Sequence, residues 1–160
     1  MITVHDLREV DPDTLGSWLD HVAINLRSED RDEVAAMGSA SNEREALGLS
    51  VGLSSHGFAI LDRVGEPAAV FGAAPHPLPG VGVVWMLGTE GINREAISIA
   101  RQTRPYFDVL NEAYPILWNY IDDRNKVSLR WLKWGGFDLI GHHEFSGHTF
   151  HIFARTSLNV

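Results

Sequence analysis

Between Leu15 and Leu26 the apolar residues Leu15, Trp18, Leu19, Val22 and Leu26 recur every three or four positions, the period of a helix with one buried face. Asp11-Pro12-Asp13 precedes them and supplies an N-cap and a helix-starting proline. A short first strand is expected over 3–8. A second, acidic helix is expected from Ser28 to Met37, broken by Gly38-Ser39-Ala40-Ser41, and a third from Asn42 to about Leu53. The period changes at Gly57. Phe58 to Val64 reads as a strand, Gly65-Glu66-Pro67 as a tight turn, and Ala68 to Ala73 as the returning strand. After the loop Pro75–Gly80, Val81 to Leu87 is apolar on both faces, the mark of a central strand. Ile92 to Ala113 is helical in character, with a break or restart expected at Pro105. Ile116 to Ile121 is a further strand. The helix after Asp122-Asp123-Arg124-Asn125 carries Val127, Trp131 and Trp134 on its core face and ends at Gly135-Gly136. Phe137–Phe145 and His148–Arg155 form a hairpin around Ser146-Gly147.

The order is β-α-α-α-β-β-β-α-β-α-β-β, without linker, repeat or low-complexity tract. It predicts an α/β protein with a mixed, mostly antiparallel sheet flanked by helices. Residues 1–160 make one domain, with a helical part over 1–54 and a sheet core over 55–160. The 160 residues are 44% hydrophobic, enough for a core. Residues 1–80 hold 13 acids and 5 bases, and residues 81–160 hold 8 of each. So acidic a chain is a poor partner for nucleic acid, and an anion is better met by the second half. With no cysteine, thiolate metal sites and cysteine nucleophiles are excluded. No targeting or membrane-spanning segment is visible, so a soluble cytoplasmic protein is expected.

Asn125, Ser128, Trp131, Leu132, Lys133, Trp134, Gly136 and Phe137 fall without a gap on a pattern that GNAT acetyltransferases carry from the start of one helix to the next strand. The element order also resembles the GNAT fold, with the motif-like region over 81–137. The stretches 114–125 and 130–137, and Val84-Trp85-Met86-Leu87-Gly88, resemble a narrower group. This is the phage acetyltransferase-like family that includes an internal virion (core) protein of short-tailed phages. That likeness implies other phage virion proteins as partners, and the host cytoplasm or the phage virion as location.

The GNAT resemblance implies acetyl-CoA as cofactor and an amine as acceptor. It places the cofactor's diphosphate on the loop Gly88-Thr89-Glu90-Gly91-Ile92-Asn93-Arg94, with contacts at Leu87, Gly88, Gly91, Asn93 and Arg94. Gly91 sits on the first glycine of the family's phosphate pattern. Gly88 replaces its leading Arg or Gln, and Asn93 its last small residue. Glu90 sets a carboxylate beside the phosphates, which Arg94 offsets. Asn119 and Asn125 are further cofactor contacts, and Asn125 is equally a helix cap. Glu90 is the candidate general base. Leu132 stands where the family has its proton-donating Tyr, so Tyr120 is the substitute donor.

Other signals are weaker. Gly48-Leu49-Ser50-Val51-Gly52 matches a nucleophile elbow but sits in helical sequence. His142, His143, His148 and His151 alternate across a hairpin and so read as hairpin histidines. Arg124, Lys126, Arg130 and Lys133 give their helix a basic side. The acids Glu29, Asp30, Asp32 and Glu33 would suit a basic acceptor. Two readings stay open: a GNAT-like virion core or assembly protein with a degenerate site, and an active acetyl-CoA-dependent N-acetyltransferase.

Overall fold

The computed structural model describes residues 1–38 and 40–157; Ser39, within the expected break after the second helix, lies outside them. Strand β1 (Thr3–Asp6) is shorter than expected because Leu7–Glu9 closes into a single 3-10 turn capped by Asp6. Helices α1 (Pro12–Ile24), α2 (Ser28–Met37) and α3 (Glu43–Leu53) follow. The Asp11 side chain accepts from the Thr14 amide and Asn42 from that of Glu45, so the local cap signals set both starts. Gly38, at φ 64°, ends α2 in the left-handed conformation that glycine takes without steric cost.

Strands β2 (His56–Leu61), β3 (Pro67–Pro75) and β4 (Val81–Gly88) lead to a single-turn α4 (Gly91–Arg94) and the long α5 (Ala96–Ala113). Then come β5 (Ile116–Asp122), α6 (Lys126–Trp134), β6 (Asp138–Phe145) and β7 (His148–Thr156). The seven strands form one sheet in the order β1-β2-β3-β4-β5-β7-β6. Every pairing is antiparallel except β4 with β5. β4 is the middle strand, as its doubly apolar pattern predicts.

Strand alternation sorts the core into two layers. Phe58, Ile60 and Phe71 point to one face, where α5 and α6 bring Phe107, Leu110, Trp131 and Leu132. Ala59 and Val70 point to the other, against Leu19, Val22 and Leu47 of α1 and α3. Among the described residues no helix is long and apolar enough to cross a membrane.

Two expectations are corrected. Pro105 does not interrupt its helix; the break falls at Glu95, and α5 runs through the proline. Proline removes the amide that would bond the Arg101 carbonyl, but both residues face solvent. On the opposite side Ile99, Thr103, Phe107 and Leu110 are buried and hold the two halves in one line. Trp134 is not core: it is 57% exposed, while Trp131 is 7% exposed. α6 ends at Trp134, Gly135 packs under Phe107, and the chain turns away at Gly136 with φ 93°.

Candidate functional site

β4 and β5 pair only from Val81–Val83 to Ile116–Trp118 and then diverge. Asn119 holds this divergence. Its Nδ2 donates to the Val84 carbonyl at 2.8 Å, supplying the partner that the parted strand no longer gives, and its Oδ1 accepts from the Tyr120 amide. The gap opens into a cavity of about 420 Å³. Val84, Met86 and Leu87 of β4, Tyr120 and Ile121 of β5, and Trp131 and Leu132 of α6 line it, and α2 and α3 cover it.

The wide end of the gap is closed from within the chain. Leu26 bridges to Thr89, and the Arg27 amide donates to the Gly88 carbonyl at 3.0 Å, so the segment before α2 pairs with the end of β4 where β5 has left it. Arg27 is 2% exposed. Its Nε and Nη2 donate to Asp30 at 2.9 and 3.0 Å, and Nη2 also donates to Asn125 and Ser128. Asp30, wholly buried, accepts the Gly88 amide at 2.9 Å. One turn on, Glu33 Oε1 accepts the Asp122 amide at 3.2 Å and Asn125 Nδ2 at 3.0 Å. α2 is thus a bar laid from the end of β4 to the end of β5. The three-residue spacing of Arg27, Asp30 and Glu33 puts all three on one side of the chain.

Burial raises the Asp30 carboxyl above its usual range, against the pull of the Arg27 guanidinium. Burial, then the neighbouring Asp30, pushes Glu33 up to about 8, while its donors from Asn125 and Asp122 pull the other way. Between the ordinary Glu value of 4.5 and about 8, the folded chain keeps a proton that the unfolded chain has lost. Stability through this group therefore falls as pH rises across that window and levels off above it. Glu33→Gln, always neutral, lacks this slope. Thermal melts are expected to show the variant gaining on the wild type from pH 5 to pH 8; parallel melting curves at the two pH values would refute the shift.

The other sequence candidates fall as follows. Leu87 is buried and lines the cavity. A Cβ on Gly88 would meet Ile92 Cδ1 at 2.1 Å and the Ala68 carbonyl at 2.7 Å, and one on Gly91 would meet Ala68 Cβ at 2.9 Å. Both glycines let the loop press onto β3. Asn93 donates to Glu90 and stands at 3.5 Å from Arg27 Nη1. Glu90 and Arg94 are exposed and border a separate hollow with His21, Asp62 and Glu66. Glu90 is not among the cavity-lining residues, whereas Tyr120 is, its ring edge-on to Trp118 and Phe145. Asn125 caps α6 through the Ser128 amide, as expected, and also accepts from Arg27. The basic side of α6 is partly spent, Arg124 on Asp122 and Lys126 on Asp123. The Gly48–Gly52 match to a nucleophile elbow lies inside α3, in line with its helical surroundings. His151 pairs with Asp123 at 2.6 Å, and His143 packs on Phe145.

No family model matches the chain, and no curated protein matches it. Solved structures do. A ribosomal-protein-S5-alanine acetyltransferase from Vibrio fischeri superposes with a TM-score of 0.65 at 14% identity, covering 99% of this chain and 94% of that one. A GCN5-related N-acetyltransferase from Kribbella flavida gives 0.65 at 15% identity, with 97% of each chain covered. An aminoglycoside acetyltransferase in complex with coenzyme A gives 0.61 at 15% identity, covering 98% and 95%. The fold is that of the GNAT acetyltransferases. The comparisons lend no support to the narrower virion-core resemblance.

In the expected diphosphate loop Gly88–Arg94 every backbone amide but that of Glu90 is engaged within the chain. The amides of Gly88, Thr89, Gly91, Ile92, Asn93 and Arg94 each already donate within the chain, to Asp30, Ala68, Thr89 Oγ1, Thr89, Glu90 and Glu90 in turn. The Asp30 carboxyl on the Gly88 amide sets an acidic group at the start of that loop. The acids expected to meet a basic acceptor divide as well: Asp30 is turned fully inward, Glu33 lines the cavity, and Asp32 faces solvent with Arg124 at 3.7 Å.

Sequence reasoning missed Arg27, Ser128 and the inward role of Asp30 and Glu33. The available signal was the Arg-x-x-Asp-x-x-Glu spacing, which sets three charges on the side of an acidic helix that must also pack.

Proposed function

We propose that this chain uses the GNAT fold for binding rather than for acetyl transfer, with a degenerate cofactor site. One observation carries the reading: Asp30 accepts the Gly88 amide at the point where the fold family's cofactor phosphates are expected. Leu132 in place of the family's proton donor supports it. The virion-core resemblance would make another virion protein the partner, and that part rests on the sequence likeness alone. Calorimetric titration with acetyl-CoA tests the proposal. No saturable heat is expected up to about 1 mM cofactor; micromolar binding overturns it.

A second reading, the active N-acetyltransferase acting on a small or protein amine, is favoured by Glu33. A carboxyl raised to about 8 at the cleft is matched to proton abstraction near neutral pH. That reading needs α2 to leave Gly88. Acetyl-CoA binding together with amine acetylation that Glu33→Gln abolishes would establish it.

A further inference from the structure

We propose that the cavity between β4 and β5 binds an uncharged, largely apolar small molecule carrying one hydrogen-bond acceptor, which the Glu33 carboxyl meets through Oε2. The inference rests on the binding reading above and names the ligand class for the same cleft.

Size and lining come first. A volume of about 420 Å³ lies in the range of small-molecule sites. Val34, Val84, Met86, Leu87, Ile121 and Leu132 supply apolar wall, and Trp85 and Tyr120 add aromatic surface. Met37, Leu49 and Leu53, 43%, 45% and 68% exposed, form an apolar rim on the solvent side.

The polar groups on the wall are mostly committed. Asn119 serves Val84 and Tyr120, Asn125 and Ser128 serve Arg27, and the Trp85 indole donates to Ser54. The Trp131 indole donates to Thr103. Two groups differ: the Tyr120 hydroxyl makes no hydrogen bond among the described residues, and both hydrogen bonds of Glu33 land on Oε1, so its Oε2 is left for the cavity.

Charge selects the ligand. Among the described residues no Lys, Arg or His lines the cavity, so an anion finds no partner there. Asp30 and Glu33 share the Asn125 amide, at 3.5 and 3.0 Å, so two carboxyls lie side by side in a poorly solvated place. Arg27 compensates one of them. The other is most stable carrying a proton, and with Oε1 occupied by two donors that proton sits on Oε2. Asp122, with Arg124 on it, faces Glu33 from β5; Asp30 and Glu29 do so from α2 and Arg27 from the segment before it; α6 presents the neutral Asn125 and Ser128. The cavity therefore offers an O–H donor in an apolar wall, and a carbonyl or ether oxygen on an apolar body is its complement. The raised Glu33 carboxyl agrees with this arrangement.

The test uses prodan, an uncharged dialkylamino-naphthyl ketone whose fluorescence shifts to the blue in apolar surroundings. Wild type is expected to give a saturable blue shift at pH 7, with Kd on the order of 100 μM. Affinity should fall about tenfold from pH 7 to pH 9 as Glu33 loses its proton. Glu33→Gln keeps an N–H donor and should bind without that pH dependence, and Leu49→Trp at the rim should weaken binding. Circular dichroism checks that each variant is folded. A folded wild type that leaves prodan unshifted, or a cationic naphthylmethylamine that binds more tightly and strengthens as pH rises, overturns the ligand class. Acetyl-CoA in a parallel titration separates the two levels. Micromolar displacement of prodan by acetyl-CoA sinks the binding reading itself, while a null result with both compounds sinks only this inference.

Discussion

Arg27→Ala should cost about 3–5 kcal/mol of stability, measured by urea unfolding. The arginine is 2% exposed and supplies donors to Asp30, Asn125 and Ser128 at once. Removing it strands the Asp30 carboxylate in a wholly buried position, with the Gly88 amide as its remaining close donor. The stranded charge, rather than the lost attraction, sets the size of the effect. Against a typical domain stability of about 5–15 kcal/mol, the variant is left marginal. The double change Arg27→Met with Asp30→Leu removes both charges and should recover most of the loss. A single variant as stable as the wild type would show that the network contributes nothing to folding. A double variant no better than the single one would show that hydrogen bonds to Gly88 and Asn125 matter more than charge balance.

Phe107→Ala should cost a comparable amount, about 3–5 kcal/mol, for a different reason. The ring is fully buried. It lies 4.9 Å from Trp131, 5.0 Å from Phe137 and 6.2 Å from Phe71, centroid to centroid, so it joins α5, α6 and the sheet. Gly135 is pressed against its edge. The truncation leaves a cavity whose walls belong to three elements and cannot collapse by one side-chain rotation. Phe107→Leu, which refills part of the volume, should lose clearly less. Equal losses in the two variants would mean that aromatic geometry and not volume sets the cost. Arg27 and Phe107 belong to different layers and share no partner, so their effects should add.

Helix starts were readable because their signals are local. Asp11, Asn42 and Asn125 each cap a helix within three residues of themselves. The central place of β4 followed from its doubly apolar run. Pro105 was misread because a local rule competed with a buried stripe on the far side of the same helix. Trp134 was misread because period does not show that the last residue of α6 lies past the core the helix packs on. The loop glycines invited a phosphate reading, yet Gly88 and Gly91 answer to the approach of β3, which a sequence does not display. The inward network was the least legible part. Arg, Asp and Glu on an acidic helix read as solvent-facing, and their partners at 88, 122, 125 and 128 are distant in the chain. Only folding brings a buried cation to them.

The position of β7 has a consequence for how the protein comes into being. β7, synthesised after β6, inserts between β5 and β6 rather than adding to an edge. Before it arrives, β5 touches the rest of the sheet through three residue pairs with β4. Nearly the whole of β5 then presents unpaired amides and carbonyls beside Trp118 and Tyr120, a surface suited to pairing with another nascent chain. On the ribosome the first four strands can assemble while the remaining half waits for its keystone. The vulnerable interval is the time needed to translate from β5 to β7 and release that segment from the exit tunnel.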